Sequence, residues 1–260
     1  MEIKGVCHVH SNYSHDGEIS LAELKDYFKN KGFQFLILTE HLHDVSTEKI
    51  RQIIDDCRAL SESGFKIIPG LELDDNKKHY LIIGIDGSQY SAEDLIKKSS
   101  SNKIIVWAHP FFIASPSAAP DHSIDGMEIW NSVYDGKKFP RWGALKLLKK
   151  IREKKNIYGF CGLDFHRFSH AGGPYLIMDI ENLSSEEILK NLKIGKFSIQ
   201  RGNIMVEPDG RLSNGRITEV KLYSPLICWF LSFVRLAGRI LYALRLKPSK
   251  KVKELIRSKI

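Results

Sequence analysis

The chain has 260 residues, 43% of them hydrophobic and 27% charged, which allows one sizeable core and excludes both disorder and a collagen-like repeat. Its formal charge of +8 reflects 39 Lys and Arg against 31 Asp and Glu, and that charge is unevenly placed. From Lys221 onward ten Lys/Arg face one acid, Glu254, so this tail carries +9 and the preceding 220 residues −1. The high isoelectric point therefore does not describe a basic active-site face, and any attraction to polyanions belongs to the tail.

Short apolar runs alternate with longer amphipathic ones, the pattern of βα units and of a single α/β barrel. The chain opens on a predicted strand, Ile3–His10, rather than on a charged and apolar export signal. A helix over Ser20–Asn30 follows, with Ser20 and Glu23 at capping-box spacing and a stop before Gly32. Then come strand Phe35–Thr39, helix Thr47–Ser63 ending at Gly64, strands Lys66–Leu71 and Tyr80–Ile85, helix Ser91–Ser99, and strands Ile104–Ala108 and Gly126–Trp130. Helix Arg141–Lys155, strand Ile157–Gly162, strand Tyr175–Ile180 and helix Ser184–Leu192 complete the regular part. Gly172-Gly173-Pro174 reads as a turn entering a strand. Four isolated cysteines, Cys7, Cys57, Cys161 and Cys228, lack the spacing of a zinc ribbon or disulfide framework and fit a reducing, cytoplasmic setting.

The informative regularity is where the apolar runs stop. Val6-Cys7 leads into His8-Val9-His10, Leu36–Thr39 into Glu40-His41, and Ile67–Leu71 into Glu72. Ile104–Ala108 leads into His109, and Gly159–Leu163 into Asp164-Phe165-His166. In a barrel of parallel strands all carboxyl ends open on one face, so these groups converge there. Alternation puts His8 with His10, and Asp164 with His166, on common faces. His79 begins a strand instead, but a hairpin over Leu73–Lys78 returns it to the same mouth beside Glu72. Imidazole and carboxylate together are the ligand set of zinc, manganese or iron. One His-x-His pair is more often a buried, hydrogen-bonded pair. Six histidines at strand ends favour metal.

Taken in order, His8-Val9-His10-Ser11-Asn12-Tyr13-Ser14-His15-Asp16-Gly17, Thr39-Glu40-His41, Pro69-Gly70-Leu71-Glu72, His79, Ala108-His109-Pro110 and Gly162-Leu163-Asp164-Phe165-His166 resemble the polymerase and histidinol phosphatase (PHP) superfamily of metal-dependent phosphoesterases. The resemblance runs from residue 3 to about residue 200. It implies a distorted seven-stranded (β/α) TIM-like barrel over residues 1–220, holding two or three divalent ions (Mn, Zn or Fe) in a trinuclear centre. By the same resemblance His8, His10, Glu72 and Asp164 form one site, and Glu72 bridges to a second held by His79 and His109. Asp16, His41 and His166 form the third, with Asp164 a further candidate bridge. Two departures stand out: Thr-Glu-His replaces the family's usual Thr-Asp-His, and His15 beside Asp16 is an alternative ligand to it.

The expected activity is hydrolysis of a phosphate ester, a small phosphomonoester or a nucleotide, by a metal-bound hydroxide. Clustered divalent ions lower the pKa of a bridging water and neutralise phosphoryl oxygens, so no protein nucleophile is needed. The leaving oxygen then takes a proton from Glu40, His15 or a metal-bound water, in that order. Arg167 and His170 are candidates for gripping the phosphate, the plainer reading of Arg167 being a surface salt bridge. Lys137 and Lys138 read as a solvated basic turn, and His43 and His122 as exposed loop residues. Rival readings are a hydrolase of non-phosphate esters or carbamates, and a non-catalytic, metal-stabilised binding or regulatory module docked by its tail.

That tail, residues 221–260, contains an uncharged run, Leu226–Val234, after Pro225. Arg235 and Arg239 interrupt it, which argues against a bilayer-spanning helix. At helical pitch Ser232, Arg235 and Arg239 form a narrow polar stripe opposite a broad apolar face with Trp229, Phe230, Phe233 and Leu241. With Lys247–Lys259 following, the expectation is an amphipathic basic helix at an anionic membrane surface, packing on the barrel or a second subunit being the alternative.

Overall fold

The computed structural model describes residues 1–75, 77–87, 103–111, 120, 122–213 and 215–243. Two six-stranded mixed sheets and the helices between them make an α/β fold. The predicted helix Ser91–Ser99 lies outside the described residues, as do residues 244–260.

The first sheet is built around β1 (Glu2–Val9). On one side lie β2 (Phe35–Leu38) and, beyond it, β4 (Lys66–Ile68), both parallel. On the other lie β10 (Tyr175–Asp179), β11 (Ser198–Arg201) and β12 (Ile204–Val206), each antiparallel to its neighbour. The second sheet runs β3 (Glu40–His41), β5 (Gly70–Asp75), β6 (Lys78–Ile83), β7 (Ile104–Ala108), β8 (Gly126–Asn131) and β9 (Tyr158–Gly162). Apolar runs such as Phe35–Leu38 and Ile104–Ala108 are buried on both faces, as strands covered on both sides must be. An all-parallel barrel is not what forms: β6 is antiparallel to both its neighbours, and β10 to β1.

Chain continuity joins the sheets at Thr39, between β2 and β3, and at Pro69, between β4 and β5. Hydrogen bonds join them again where β9 ends: Leu163 N donates to Cys7 O (2.8 Å), Phe165 N to His8 O (3.1 Å) and His10 N to Phe165 O (2.9 Å). That seam lays the first histidine pair alongside Asp164 and His166. The predicted hairpin forms between β5 and β6, with Asp74 opposite His79.

Helix α1 (Leu21–Asn30) starts with the reciprocal Ser20–Glu23 capping box read from the sequence. Helix α2 (Thr47–Leu60) stops short of the predicted Ser63 because Ser61 turns extended and bonds the Cys57 carbonyl with its hydroxyl. Helices α3 (Trp142–Arg152) and α4 (Ser185–Lys193) pack on the strands. Helix α5 (Ile217–Ala243) begins ahead of Pro225 and runs through it, so a boundary drawn at residue 220 falls inside the helix. Val220, Ser224, Cys228 and Leu231 turn one side of α5 into the core.

Candidate metal centre

Strand ends, and the loop that carries Asp16, bring nine side chains to one place. Glu72, buried at the start of the hairpin, stands at its middle. Its Oε2 lies 3.4 Å from His8 Nε2, 3.5 Å from His10 Nε2 and 3.1 Å from His41 Nδ1. Its Oε1 lies 2.8 Å from His79 Nδ1 and 3.0 Å from His109 Nε2. Asp164 Oδ1 approaches His8 Nε2 at 3.7 Å and His166 Nδ1 at 3.6 Å. Asp16 reaches His41 Nε2 at 3.4 Å and His166 Nε2 at 3.1 Å. All nine residues singled out as ligands are therefore neighbours, including Asp16 at the preferred position.

Three of them sit on left-handed backbone, which L residues adopt at a cost of about 1–3 kcal/mol each: His8 (φ 62°), His109 (φ 26°) and Asp164 (φ 52°). At His8 this is where the β1–β2 register shifts between Val6 and Val9. Both His8 and His10 turn toward Glu72, the common face that alternation gives them.

A metal fits these residues on two counts. His8 Nε2, both ring nitrogens of His10, Asp16 Oδ1 and His166 Nε2 are buried without a hydrogen-bond partner, an arrangement that costs free energy unless something else meets them. Separations of 3.4–3.7 Å about His8 are long for hydrogen bonds. Two atoms each about 2.1 Å from one cation stand about 3.0–3.4 Å apart at octahedral or tetrahedral angles. Within this cluster four triads have ligand atoms within 4.8 Å of one another: His8–His10–Glu72, His8–His109–Asp164, Glu72–His79–His109 and His10–His41–His166; a fifth, His15–His43–Asp44, lies outside the nine. His8, His10 and His109 each belong to two of the four, a sharing absent from the expected assignment, which shared only Glu72 and Asp164.

Electrostatics point the same way. Burial works against an ionised Glu72, but His8 and the bonds from His109, His41 and His79 hold its carboxyl well below the usual range. Burial also opposes charge on His8, yet Glu128, Glu72 and Asp164 outweigh it and push the imidazole well above its ordinary value. His10, buried among other imidazoles, is driven well below. Protons on His8 and a divalent cation thus compete for the same carboxylates.

Glu128 was not legible as a site residue. It is a buried carboxylate in the middle of β8, within the otherwise apolar run Gly126–Trp130. Its Oε1 lies 2.7 Å from His8 Nδ1, and its Oε2 accepts from His109 N (2.7 Å) and Asn131 Nδ2 (3.0 Å). It orients two ligands by their far sides. Gly162 makes room for it: a Cβ there would lie 1.9 Å from Glu128 Oε1. A lone acid inside a buried strand was the available signal.

The residues proposed for proton and phosphate handling are placed differently from the expectation. Glu40 is fully buried and faces away from the cluster; it accepts from Ser11 N (2.9 Å), Ser11 Oγ and Ser14 Oγ, and so fastens the loop that carries Asp16. His15 is 63% exposed, its Nδ1 lying 2.7 Å from Asp44 Oδ2 and its ring 5.8 Å from that of His41. Arg167 pairs with Glu18 at 3.1 Å, the plainer of its two readings. His170 Nδ1 lies 3.0 Å from the Asp164 carbonyl oxygen and 3.3 Å from His166 N, steadying the ligand loop. Lys137 donates to Ser169 O at 2.9 Å, and Lys138 is exposed. His43 is exposed beside Asp44, as expected. His122 is not: it is half-buried, 2.6 Å from Asp75 and against the Tyr80 ring.

Residues 7–122 match the PHP domain. That match covers a little under half of the chain. An 81-residue stretch, 28% of the chain, is 31% identical to the DNA polymerase/3′-5′ exonuclease PolX of Bacillus subtilis and spans 14% of that protein. Among solved structures, a two-domain protein of Bacteroides vulgatus containing a predicted PHP-like metal-dependent phosphoesterase superposes with a TM-score of 0.57 at 17% identity, over 79% of this chain and 66% of that one. PsfC from Pseudomonas syringae superposes with a TM-score of 0.53 at 14% identity, over 88% of this chain and 99% of that one. At these identities the two structures speak for the fold.

Proposed function

We propose that the chain is a metal-dependent phosphoesterase that hydrolyses a small phosphomonoester or a nucleotide. The observation that carries this reading is the set of buried ligand atoms without a hydrogen-bond partner on His8, His10, Asp16 and His166 around the Glu72 carboxylate. Up to three divalent cations, Mn, Zn or Fe, would be held by His8, His10, Glu72 and Asp164, by Glu72, His79 and His109, and by Asp16, His41 and His166. When bound, such cations supply Lewis-acid charge to phosphoryl oxygens and acidify a coordinated water.

The chain's own residues do the rest. Glu72 sets the charge of the centre and Glu128 fixes the ring of His8. Glu40, through Ser11 and Ser14, holds the Asp16 loop. His15, exposed beside Asp16 and oriented by Asp44, is the side chain we assign to protonating the leaving oxygen, in place of Glu40. The mixed sheets we read as a distorted seven-stranded barrel: β1, β2–β3, β4–β5, β6, β7, β8 and β9, returning to β1 through the bonds of Leu163 and Phe165. Residues 1–220 are the proposed catalytic unit. A reducing, cytoplasmic location is supported by four buried, unpaired cysteines.

The test is to purify the protein with manganese or zinc, count metal per chain by elemental analysis, and assay phosphate release from an aryl phosphate and from nucleotides. The expected result is two or three ions and turnover that His10→Ala and Asp164→Ala abolish. Metal-replete protein inert toward every phosphate ester would sink the proposal.

A further inference from the structure

We infer that the outer face of α5 docks the protein on an anionic lipid bilayer, the helix lying in the plane of the interface with its inner side on the domain. Leu222, Leu226, Trp229, Phe233, Leu236 and Ile240 recur at intervals of four and three, the spacing that stacks side chains on one side of a helix. All six are exposed, Trp229 to 71%. Tyr223 and Phe230 widen the stripe, and the rings of Trp229 and Phe233 stack at 6.2 Å. An exposed apolar surface of this extent on one element marks an interaction site.

The helix already has its place in the core, so the stripe is not a core face left over. Val220, Cys228 and Leu231 are buried, and Trp142 N donates to Ser224 Oγ at 2.9 Å. Arg235 donates to the carbonyl oxygens of Tyr134 (2.8 Å) and Val133 (3.2 Å), its guanidinium 5.0 Å from the Tyr134 ring centre. Arg235 therefore turns toward the domain, Ser232 lies exposed at the flank with its hydroxyl bonded to the Cys228 carbonyl of its own helix, and the broad apolar side turns out.

Charge selects the occupant. Ten Lys/Arg against one acid from residue 221 on would set like against like if a second copy covered the stripe. A nucleic acid would meet the charge and leave the Leu and Phe rows in water. Anionic lipid meets both, with acyl chains for the stripe and headgroups for the cations. Residues 217–238 are long and apolar enough to cross a bilayer, but the inner row and the bonds of Arg235 commit one side of the helix to protein.

The experiment uses the full chain and vesicles of phosphatidylcholine with or without phosphatidylglycerol. Trp107 and Trp130 are buried and Trp142 half-buried, so a lipid-induced change in tryptophan emission reports Trp229. The expected result is a blue shift and sedimentation with phosphatidylglycerol vesicles only, weakened by salt and reversed by alkaline carbonate, with the shift lost in Trp229→Phe. Leu226→Ser with Phe233→Ser, and separately Lys250→Glu with Lys251→Glu, should each weaken binding about tenfold with an unchanged circular dichroism spectrum. Three outcomes would overturn the inference: no emission change with either vesicle, carbonate-resistant insertion, or a lipid-free dimer that Leu226→Ser with Phe233→Ser dissociates.

Discussion

The mouth around Glu72 and the outer side of α5 invert the ordinary burial rule in opposite senses. One buries imidazoles and carboxylates where apolar side chains belong, and the other exposes Leu, Trp and Phe where charges belong. In the mouth the polar groups meet one another only in part. Glu72 is surrounded by five histidines, yet both ring nitrogens of His10 lack a hydrogen-bond partner, its Nε2 standing 3.5 Å from Glu72. On α5 the outer apolar rows stay about half or more exposed, with Tyr223 stacked on Phe139, while Arg235 on the inner side donates to two carbonyl oxygens. Each inversion suits a partner of its own chemistry: a cation in the first case and, on the inference drawn above, an acyl surface in the second.

The comparison can be broken most decisively at Glu72. Glu72→Gln removes the charge shared by five imidazoles and should lower both metal content and turnover about a thousandfold, the equivalent of several kcal/mol of charge stabilisation. Elemental analysis beside steady-state kinetics checks it, and full metal loading in this variant would undo the central role given to Glu72. His15→Ala should reduce kcat about a hundredfold for alkyl phosphates and far less for aryl phosphates whose leaving groups need no proton. Equal losses on both substrates would return that role to another group.

Glu128→Gln sharpens the picture at the rear of the site. It should weaken metal affinity or activity about 10–100-fold while the fold persists, as read by metal titration and a thermal melt. The smallest effect belongs to the helix: Leu236→Ser on the outer row should leave unfolding free energy within about 0.5 kcal/mol, whereas Leu231→Ala on the inner row should cost about 2–5 kcal/mol. Chemical denaturation of the two variants separates the faces, and comparable losses would mean that both rows are core.

Much of the mouth could be read from the sequence because apolar runs that end in His, Glu or Asp report both the strand and its carboxyl end. The hairpin returning His79 to Glu72, and the Ser20–Glu23 cap, depended on local signals and emerged accordingly. What stayed hidden depended on tertiary neighbours. Glu40 follows Thr39 just where the other ligands stand, but its direction is decided by the hydroxyls of Ser11 and Ser14 across the loop. Glu128 sits in mid-strand, where a carboxylate has meaning only once His8 and His109 lie behind it. Periodicity separated the two sides of α5 but not which of them turns inward. Two carbonyl oxygens, of Val133 and Tyr134, decide that by accepting from Arg235. The short strands β11 and β12, of four and three residues and joined through Gly202, carry too little pattern to announce themselves.

The left-handed backbone at His8, His109 and Asp164 sets durability against chemistry in this chain. Glycine occupies that region without a steric penalty, so at each of these three positions the residue that best suits the main chain is one with no donor atom at all. Selection for heat resistance alone would drift toward glycine there and yield a hardier, inert protein.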